Sequence, residues 1–294
     1  MPHLPANGVQ LYYESTGDGF PLVFCHEFAD DYRGWDPQVG FFARLYRCIT
    51  YNHRGYPPSS VPAAPEAYSQ EILIEDLHSL LSHLGIIRTH LIGFSLGANV
   101  VLNFALRYPE LCESIVVTAC GAGSTDRSSF EQRMAETVEL LSTKGMRALA
   151  ERYAENPTRV QLKRKDPAGW ARFRERLAEH SALGSSLMIQ GVMLRRPIIF
   201  SLEEELTRLR VPTLLIVGDE DENCIDTSIF MKRKIPCADL LIIPGSGHTV
   251  NLEEPILFNQ MASSFLHNVE RKTSASKQAS PSSFSPDRTG TPLD

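Results

Sequence analysis

Short runs of apolar residues alternate along the chain with longer segments in which apolar residues recur every three or four positions. The short runs are typical of β-strands and the longer spacing of amphipathic helices. Residues 9–14 alternate apolar and polar positions, as an edge strand does, whereas residues 21–25 are continuously apolar, as a strand buried on both faces is. Five further runs have strand character: residues 47–51, 90–93, 114–119, 212–217 and 238–243.

Helical patterns lie between these runs. One helix is predicted to begin at Asp36, a second has apolar residues at three- and four-residue spacing between residues 74 and 84, and a third covers residues 95–108. Strands that alternate with helices in this way are typical of a parallel sheet covered by helices on both faces. The sequence therefore predicts an α/β fold with a doubly wound, mostly parallel sheet.

One long segment breaks the alternation, because residues 126–208 contain only helical patterns. We interpret this segment as an all-helical cap inserted into a core formed by residues 1–125 and 209–270. Residues 271–294 are rich in Ser, Lys and Pro and contain few apolar side chains, so they offer little to offset the entropy of ordering them. They are predicted to form a disordered tail.

Composition narrows the class of partner. Of the 294 residues, 43% are hydrophobic and 22% charged, and the net charge of −6 offers no general attraction to nucleic acid or to an anionic membrane. No apolar stretch is long enough to cross a bilayer, and no signal-peptide pattern begins the chain. We therefore expect a cytoplasmic monomer or homodimer that acts on a small-molecule substrate.

The charge is unevenly divided. Residues 126–210 hold 16 Lys and Arg against 12 Asp and Glu, whereas the remainder holds 13 against 23. We favour the interpretation that these basic residues lie on solvated helix faces. The alternative is that a basic run such as Lys163-Arg164-Lys165 attracts anionic substrates.

Six cysteines are scattered without a C-x-x-C pair, and the nine histidines include no H-E-x-x-H pattern. The cysteines are predicted to be buried thiols, because several lie in or beside apolar runs. Neither residue type has the spacing of a metal site. We expect no metal and no cofactor.

The strongest chemical signal is a G-x-S-x-G pattern at residues 93–97, which follows a predicted strand and opens a predicted helix. In that setting the pattern forms a nucleophile elbow, a sharp turn that exposes the central serine hydroxyl at the start of the helix. The glycines are needed because side chains on either flank would collide within the turn. Ser95 is therefore a candidate nucleophile.

Four other short motifs each follow a predicted strand: His26-Glu27-Phe28, Arg54-Gly55, Gly218-Asp219-Glu220-Asp221 and Gly247-His248. With the elbow, they make the chain resemble the α/β-hydrolase family from about Val9 to Val269, most weakly through the cap. The motifs lie at the carboxyl ends of parallel strands, where sheets of this kind gather their ligands. The resemblance implies a hydrolase whose serine, acid and histidine follow one another in that order.

A serine hydroxyl needs a neighbouring base, and imidazole has the right basicity near pH 7. His248, in a glycine-rich turn after the last strand, is the candidate, since the other histidines lie on predicted helices, in the cap or beside a strand. A carboxylate must orient this imidazole. The family places its acid at the position of Asp221; Asp219 is the alternative, and Glu220 is expected to point outward.

The oxyanion of an acyl-transfer intermediate is stabilised by two backbone N–H groups. Leu96 supplies one because it follows the nucleophile, and the resemblance assigns the other to Phe28. The sequence departs from the family pattern at Glu27, where a glycine is usual. We expect Glu27 to pair with Arg54; the alternative is that its carboxylate faces the pocket.

The favoured function is a serine hydrolase that cleaves small or medium carboxylic esters through an acyl-enzyme. Methionines and aromatic residues of the cap, among them Trp170 and Met188, are expected mainly to pack helices together, although they would also suit an apolar pocket. A carbon–carbon bond hydrolase or a cofactor-free perhydrolase would use the same three residues. A small-ligand receptor on the same scaffold is the non-enzymatic alternative.

Overall fold

The computed structural model describes residues 2–279 of the chain and centres on one sheet of eight strands. The strands are β1 (His3–Ala6), β2 (Val9–Thr16), β3 (Phe20–Cys25), β4 (Tyr46–Tyr51), β5 (Thr89–Phe94), β6 (Cys112–Thr118), β7 (Thr213–Gly218) and β8 (Ala238–Ile243). All seven predicted strands are present, each within a few residues of its predicted bounds. The short strand β1 was not predicted.

Eleven α-helices connect and flank these strands in the described part of the chain. They are α1 (Asp36–Phe42), α2 (Gln70–His83), α3 (Leu96–Arg107), α4 (Arg127–Ala154), α5 (Val160–Lys165), α6 (Pro167–Glu179), α7 (Ala182–Met188), α8 (Glu203–Arg208), α9 (Ile225–Lys234), α10 (Val250–Glu253) and α11 (Pro255–Ala279). None of the helices searched among the described residues combines the length and apolarity that a bilayer span requires.

The sheet runs in the order β1-β2-β4-β3-β5-β6-β7-β8. β1 and β2 are antiparallel to their neighbours, whereas β3 to β8 are parallel. The order reverses at β3, which pairs with β4 on one side and β5 on the other. Loops after β3 and β5 therefore separate at their carboxyl ends and open a crevice there, the usual place for a ligand in such a sheet.

Both faces of the sheet are buried, as the continuous apolar runs predict. Along β3, Leu22 and Phe24 face one core cluster, which includes residues of α1 and α11, and Val23 and Cys25 face the other, which includes residues of α2 and α3. This alternation follows from the two-residue period of a strand. The doubly wound α/β fold is therefore present.

Helices α4 to α8 fill the interval between β6 and β7, and we call residues 126–208 the helical insert. Asp126 caps α4, since its side chain accepts a hydrogen bond from the Ser129 N–H at 3.0 Å. The long helix α4 breaks at Gly145, whose φ of 74° lies in the left-handed region that glycine tolerates. The helix packs against α6 and α7.

The last helix extends further than the sequence predicted. α11 runs to Ala279, although a disordered tail was expected from residue 271. Extending a formed helix costs little, because each added residue fixes few dihedral angles for the hydrogen bond it gains. A tertiary contact also holds the extension, since the Thr273 hydroxyl donates to Glu113 at 2.6 Å. Residues 280–294 of the predicted tail lie outside the described residues.

Candidate active site

Ser95 lies at the sharp turn between β5 and α3. Its φ of 52° and ψ of −105° are strained for a residue with a side chain, and α3 begins at the next residue. A Cβ atom at Gly93 would overlap the backbone of Gly97 and Ala98, and one at Gly97 would overlap the carbonyl oxygens of Cys25 and His26. Both glycines are therefore required by close backbone approach, and the turn leaves Ser95 partly exposed.

Ser95, His248 and Asp221 form a hydrogen-bonded chain. His248 Nδ1 lies 2.7 Å from Asp221 Oδ2, and His248 Nε2 lies 3.0 Å from Ser95 Oγ. Because a carboxylate only accepts, Nδ1 carries the proton, and in the neutral imidazole Nε2 then accepts from the Ser95 hydroxyl. This tautomer is the one that can remove a proton from Ser95.

The loops after β7 and β8 hold the acid and the histidine together. A Cβ atom at Gly218 would overlap the carbonyl oxygens of Ser246 and Gly247, so the end of β7 packs directly on the histidine loop. Asp219 accepts a hydrogen bond from the Ser246 N–H at 3.1 Å. Asp219 therefore ties the two loops together, while the fully buried Asp221 contacts the imidazole.

The loop after β3 is held by a buried, neutral histidine. The His53 N–H donates to His26 Nε2 at 3.0 Å, so the proton of His26 is on Nδ1, which donates to the Glu27 carbonyl at 2.6 Å. Burial lowers the pKa of His26 to about 4. This arrangement fixes the backbone just before Phe28, and Gly97 of α3 packs against the same loop.

The Glu27 carboxylate pairs with Arg159 of the helical insert. Nη1 of Arg159 donates to Glu27 Oε1 at 2.8 Å, and Nη2 donates to Oε2. Both side chains are almost fully buried, at 1% and 3% exposure. Burial alone would raise the pKa of Glu27, but the charge and hydrogen bonds of Arg159 hold it below its ordinary value.

The predicted pairing of Glu27 with Arg54 is wrong. Arg54 instead donates from Nε and Nη2 to the two carboxylate oxygens of Asp76 on α2, each at 2.7 Å. Arg54 Nη1 also donates to the Ala67 carbonyl at 3.0 Å, so the guanidinium is held against α2 and the turn before it. Arg159 was missed because it lies 132 residues from Glu27 along the chain, in a segment without a recognisable motif.

A cavity of about 110 Å³ opens beside Ser95 and His248. Its other lining residues come mainly from the helical insert and include both apolar and polar or basic side chains. They are Ala122, Phe130, Arg133, Met134, Thr137, Leu149, Arg152, Tyr153, Asn156, Thr158, Arg159, Met193, Arg196 and Asn223. The insert therefore covers the site, and no Asp or Glu belongs to this described lining.

Trp170 and Met188, the two residues proposed for an apolar pocket, are not in this lining. Trp170 donates from Nε1 to the Ala154 carbonyl at 2.9 Å, and Lys163 lies over its ring at 4.5 Å. Met188 is fully buried in the core. Both residues pack the insert together because their apolar surface is used between helices, which is the interpretation that the sequence favoured.

The basic run of the insert lies at the surface and is paired with acids. Lys163 contacts Glu155, Arg164 contacts Glu220, and Lys165 contacts Glu254, at distances of 2.6, 2.9 and 2.6 Å. The Glu220 side chain lies at this surface with 41% exposure, in agreement with the expectation that it points outward. These three cations therefore fit the favoured interpretation of solvated helix faces, and Lys163-Arg164-Lys165 is separate from the cavity lining.

Asp221, Cys224 and His248 bring three potential metal-ligating atoms within 4.8 Å of one another. The Asp221 and His248 atoms already share a hydrogen bond, and the remaining imidazole nitrogen contacts Ser95. Burial raises the pKa of Cys224 well above its ordinary value, so its sulfur is a thiol rather than the thiolate that binds metal. This donor set suits proton transfer better than metal binding.

The mostly parallel sheet, the strained serine after its central strand and the histidine–aspartate pair at the sheet edge define a class of enzyme. The chain belongs to the α/β-hydrolase family, whose profile, described as the alpha/beta hydrolase fold, matches residues 21–255. The match runs from β3 to the start of α11 and includes the helical insert.

Particular relatives include several hydrolases. The chain is 25% identical to 3-oxoadipate enol-lactonase 2 of Acinetobacter baylyi over 87% of its own length and 92% of that protein. A thermophilic esterase from Thermogutta terrifontis superposes with a TM-score of 0.81 at 25% identity, covering 92% of this chain and 99% of the other. A carboxylesterase structure from Nitrososphaera gargenis gives 0.80 at 27%, covering 92% and 100%.

Proposed function

We propose that the protein is a serine hydrolase that cleaves carboxylic esters, including cyclic ones, through an acyl-enzyme. The observation that carries the proposal is the chain of hydrogen bonds from Ser95 through His248 to the buried Asp221. Two relatives, one named an esterase and one an enol-lactonase, support an acyl–oxygen bond as the bond that is cleaved, since ester and lactone hydrolysis both break such a bond.

In the first half of the reaction, His248 Nε2 takes the Ser95 proton as Oγ attacks the ester carbonyl. Asp221 holds the imidazole in the required tautomer and stabilises the imidazolium that forms. The imidazolium then gives its proton to the departing alcohol, which leaves an acyl group on Ser95. In the second half, His248 activates a water molecule that releases the acid.

The backbone N–H groups of Phe28 and Leu96 are proposed as the oxyanion donors. Leu96 begins α3, so its N–H belongs to the free donors at the positive end of the helix. Phe28 follows the loop fixed by His26, and the Tyr56 hydroxyl donates to the Phe28 carbonyl at 2.9 Å. One such donor contributes roughly 10²- to 10³-fold to kcat.

The pairing of Glu27 removes the objection that a carboxylate in the oxyanion loop would oppose the developing negative charge. Arg159 neutralises that carboxylate and holds it in a bidentate contact. Glu27 is therefore proposed as a positioning residue of the loop.

The proposal is tested by replacing Ser95 with Ala and measuring hydrolysis of p-nitrophenyl esters of increasing acyl length. We expect kcat/KM to fall by at least about 10³-fold, because the nucleophile is lost while the fold is kept. Ser82→Ala, which removes an exposed hydroxyl on α2, is the matched control and should retain full activity. An S95A protein with more than a tenth of wild-type turnover would refute the assignment.

A further inference from the structure

Arg196 differs from the other buried arginines of the described residues. Arg54 and Arg159, at 2% and 3% exposure, each have a carboxylate partner. Arg196 is 7% exposed, and no carboxylate of residues 2–279 lies within 4.0 Å of it. Its hydrogen bond to protein runs from Nη2 to the Ala122 carbonyl at 3.2 Å, and its other N–H donors, without a protein partner among the described residues, stay accessible from the cavity.

A guanidinium at 7% exposure without a carboxylate partner is costly, because burial removes much of its water without supplying an opposite charge. Burial lowers the pKa of Arg196, and the neighbouring Cys120 and Cys224 are neutral thiols that supply no opposite charge, since burial raises the pKa of both. Arg127, another cation, lies near enough to oppose its charge further. The folded protein thus keeps a positive charge that its own described side chains leave unbalanced.

The guanidinium lines the cavity that also contains Ser95 and His248. Three more arginines line it, but two of them are balanced, since Arg159 pairs with Glu27 and Arg152 with Glu136. Arg133 is exposed. A planar guanidinium with free parallel donors matches a carboxylate in a two-bond contact.

We propose that Arg196 binds a free carboxylate of the substrate, so that the natural substrate is an ester or lactone carrying one carboxylate besides the bond that is cleaved. This inference rests on the proposed function, since it assigns the substrate class of the same site. One buried guanidinium balances one negative charge, which fits a carboxylate better than a doubly charged phosphate. The absence of Asp and Glu from the described lining agrees with an anionic occupant.

The test compares esters that differ only in a terminal carboxylate. Monomethyl glutarate carries the carboxylate on the acyl side, and its neutral match is methyl valerate. 4-Acetoxybutanoate carries the carboxylate on the alcohol side, and its neutral match is butyl acetate. We expect wild-type kcat/KM to favour the anionic ester by roughly 30-fold or more in at least one pair, as a charge-assisted contact provides. A preference near one in both pairs would overturn the proposal.

Substitution then assigns that preference to Arg196. We expect Arg196→Met to lower the ratio of kcat/KM between anionic and neutral ester at least about tenfold, and Arg196→Lys to give an intermediate ratio. Arg195→Met removes an exposed neighbouring charge outside the cavity lining and should leave the ratio as it is. An unchanged ratio in a folded Arg196→Met or Arg196→Lys protein would overturn the assignment.

Binding without turnover separates this inference from the ester proposal. Calorimetry with monomethyl glutarate or 4-acetoxybutanoate on the Ser95→Ala protein should show binding that is lost in Ser95→Ala/Arg196→Met. If the wild type hydrolyses none of the esters but this binding difference remains, the anion site stands and the proposed function fails. If neutral esters are hydrolysed and neither charged ester binds through Arg196, the proposed function stands and this inference fails.

Discussion

At the scale of single residues, a site residue could be predicted from sequence where a local turn or loop fixes its position. Ser95 and its flanking glycines were predictable because one tight turn dictates all three, and His248 because a glycine-rich loop carries it to the sheet edge. The choice between Asp221 and Asp219 came from a family resemblance. In the structure Asp221 contacts the imidazole, and Asp219 binds the adjacent backbone.

This geometry predicts different effects for the two aspartates. Asp221→Asn should lower kcat by about 10⁴-fold, since an amide N–H facing Nδ1 favours the wrong imidazole tautomer. Asp219→Asn, the matched control, keeps an oxygen that can accept from the Ser246 N–H and should cost less than about tenfold. Steady-state kinetics on one ester decides the point, and equal losses in the two variants would show that the assignment of the acid is wrong.

At the scale of elements, one short segment of the helical insert, residues 158–161, contacts and holds three loops of the site. The Thr158 carbonyl accepts from the His248 N–H at 2.6 Å, and Arg159 binds Glu27. Gln161 Nε2 donates to Glu220 at 2.7 Å in the loop that carries Asp221. These contacts join residues far apart in sequence, so no local pattern predicted them. The insert therefore supports the loops of the candidate site as well as covering the cavity.

The buried pair between Arg159 and Glu27 predicts strong coupling between insert and core. Replacing one partner, as in Arg159→Met or Glu27→Gln, should lower the free energy of unfolding by about 3 kcal/mol, because the remaining group is left buried without its partner. Replacing both, as in Glu27→Met/Arg159→Met, should cost less than the sum of the single changes. Urea unfolding monitored by circular dichroism measures all three values.

A control for this coupling lies on the same segment. Arg164→Met breaks the pair with Glu220, whose side chains are 62% and 41% exposed, and should cost less than about 1 kcal/mol. If the double replacement of Glu27 and Arg159 is simply additive, or if Arg164→Met costs as much as Arg159→Met, the buried pair does not couple the insert to the loop after β3.

At the scale of the whole molecule, alternating strand and helix patterns were enough to predict the sheet, because each element buries a face set by its own periodicity. The helical interval between β6 and β7 was also visible in sequence. The way the insert closes over the sheet edge was not, since it depends on side chains such as Arg159 and Gln161 meeting partners far away in the chain. Substrate preference depends on these same long-range contacts of the insert, so the sequence alone did not predict it.

Stability should depend on pH through the buried His26. Its pKa is about 4 in the folded protein against about 6.5 in an unfolded chain, so between these values only the unfolded chain binds the proton. The free energy of unfolding should therefore fall as the pH is lowered from 7 to 4, by up to about 3 kcal/mol from this group. Asp30, whose pKa burial raises to about 6, acts in the opposite direction.

The contribution of His26 is isolated by comparison with His26→Gln. The difference in free energy of unfolding between wild type and His26→Gln should shrink steadily between pH 7 and pH 4, as measured by urea unfolding at each pH. His83→Gln, at an exposed position on α2, is the control and should follow the wild type. A difference that is constant with pH would mean that His26 is not buried in its neutral form.

Trapping the intermediate shows directly whether Ser95 carries the acyl group. The protein is mixed with p-nitrophenyl acetate, quenched in acid within milliseconds to seconds, digested, and examined by mass spectrometry. We predict that one acetyl group is found on the peptide containing Ser95 and is absent when Ser95→Ala is treated in the same way. Hydrolysis that proceeds without acylation, or acylation at a different residue, would show that Ser95 is not the nucleophile.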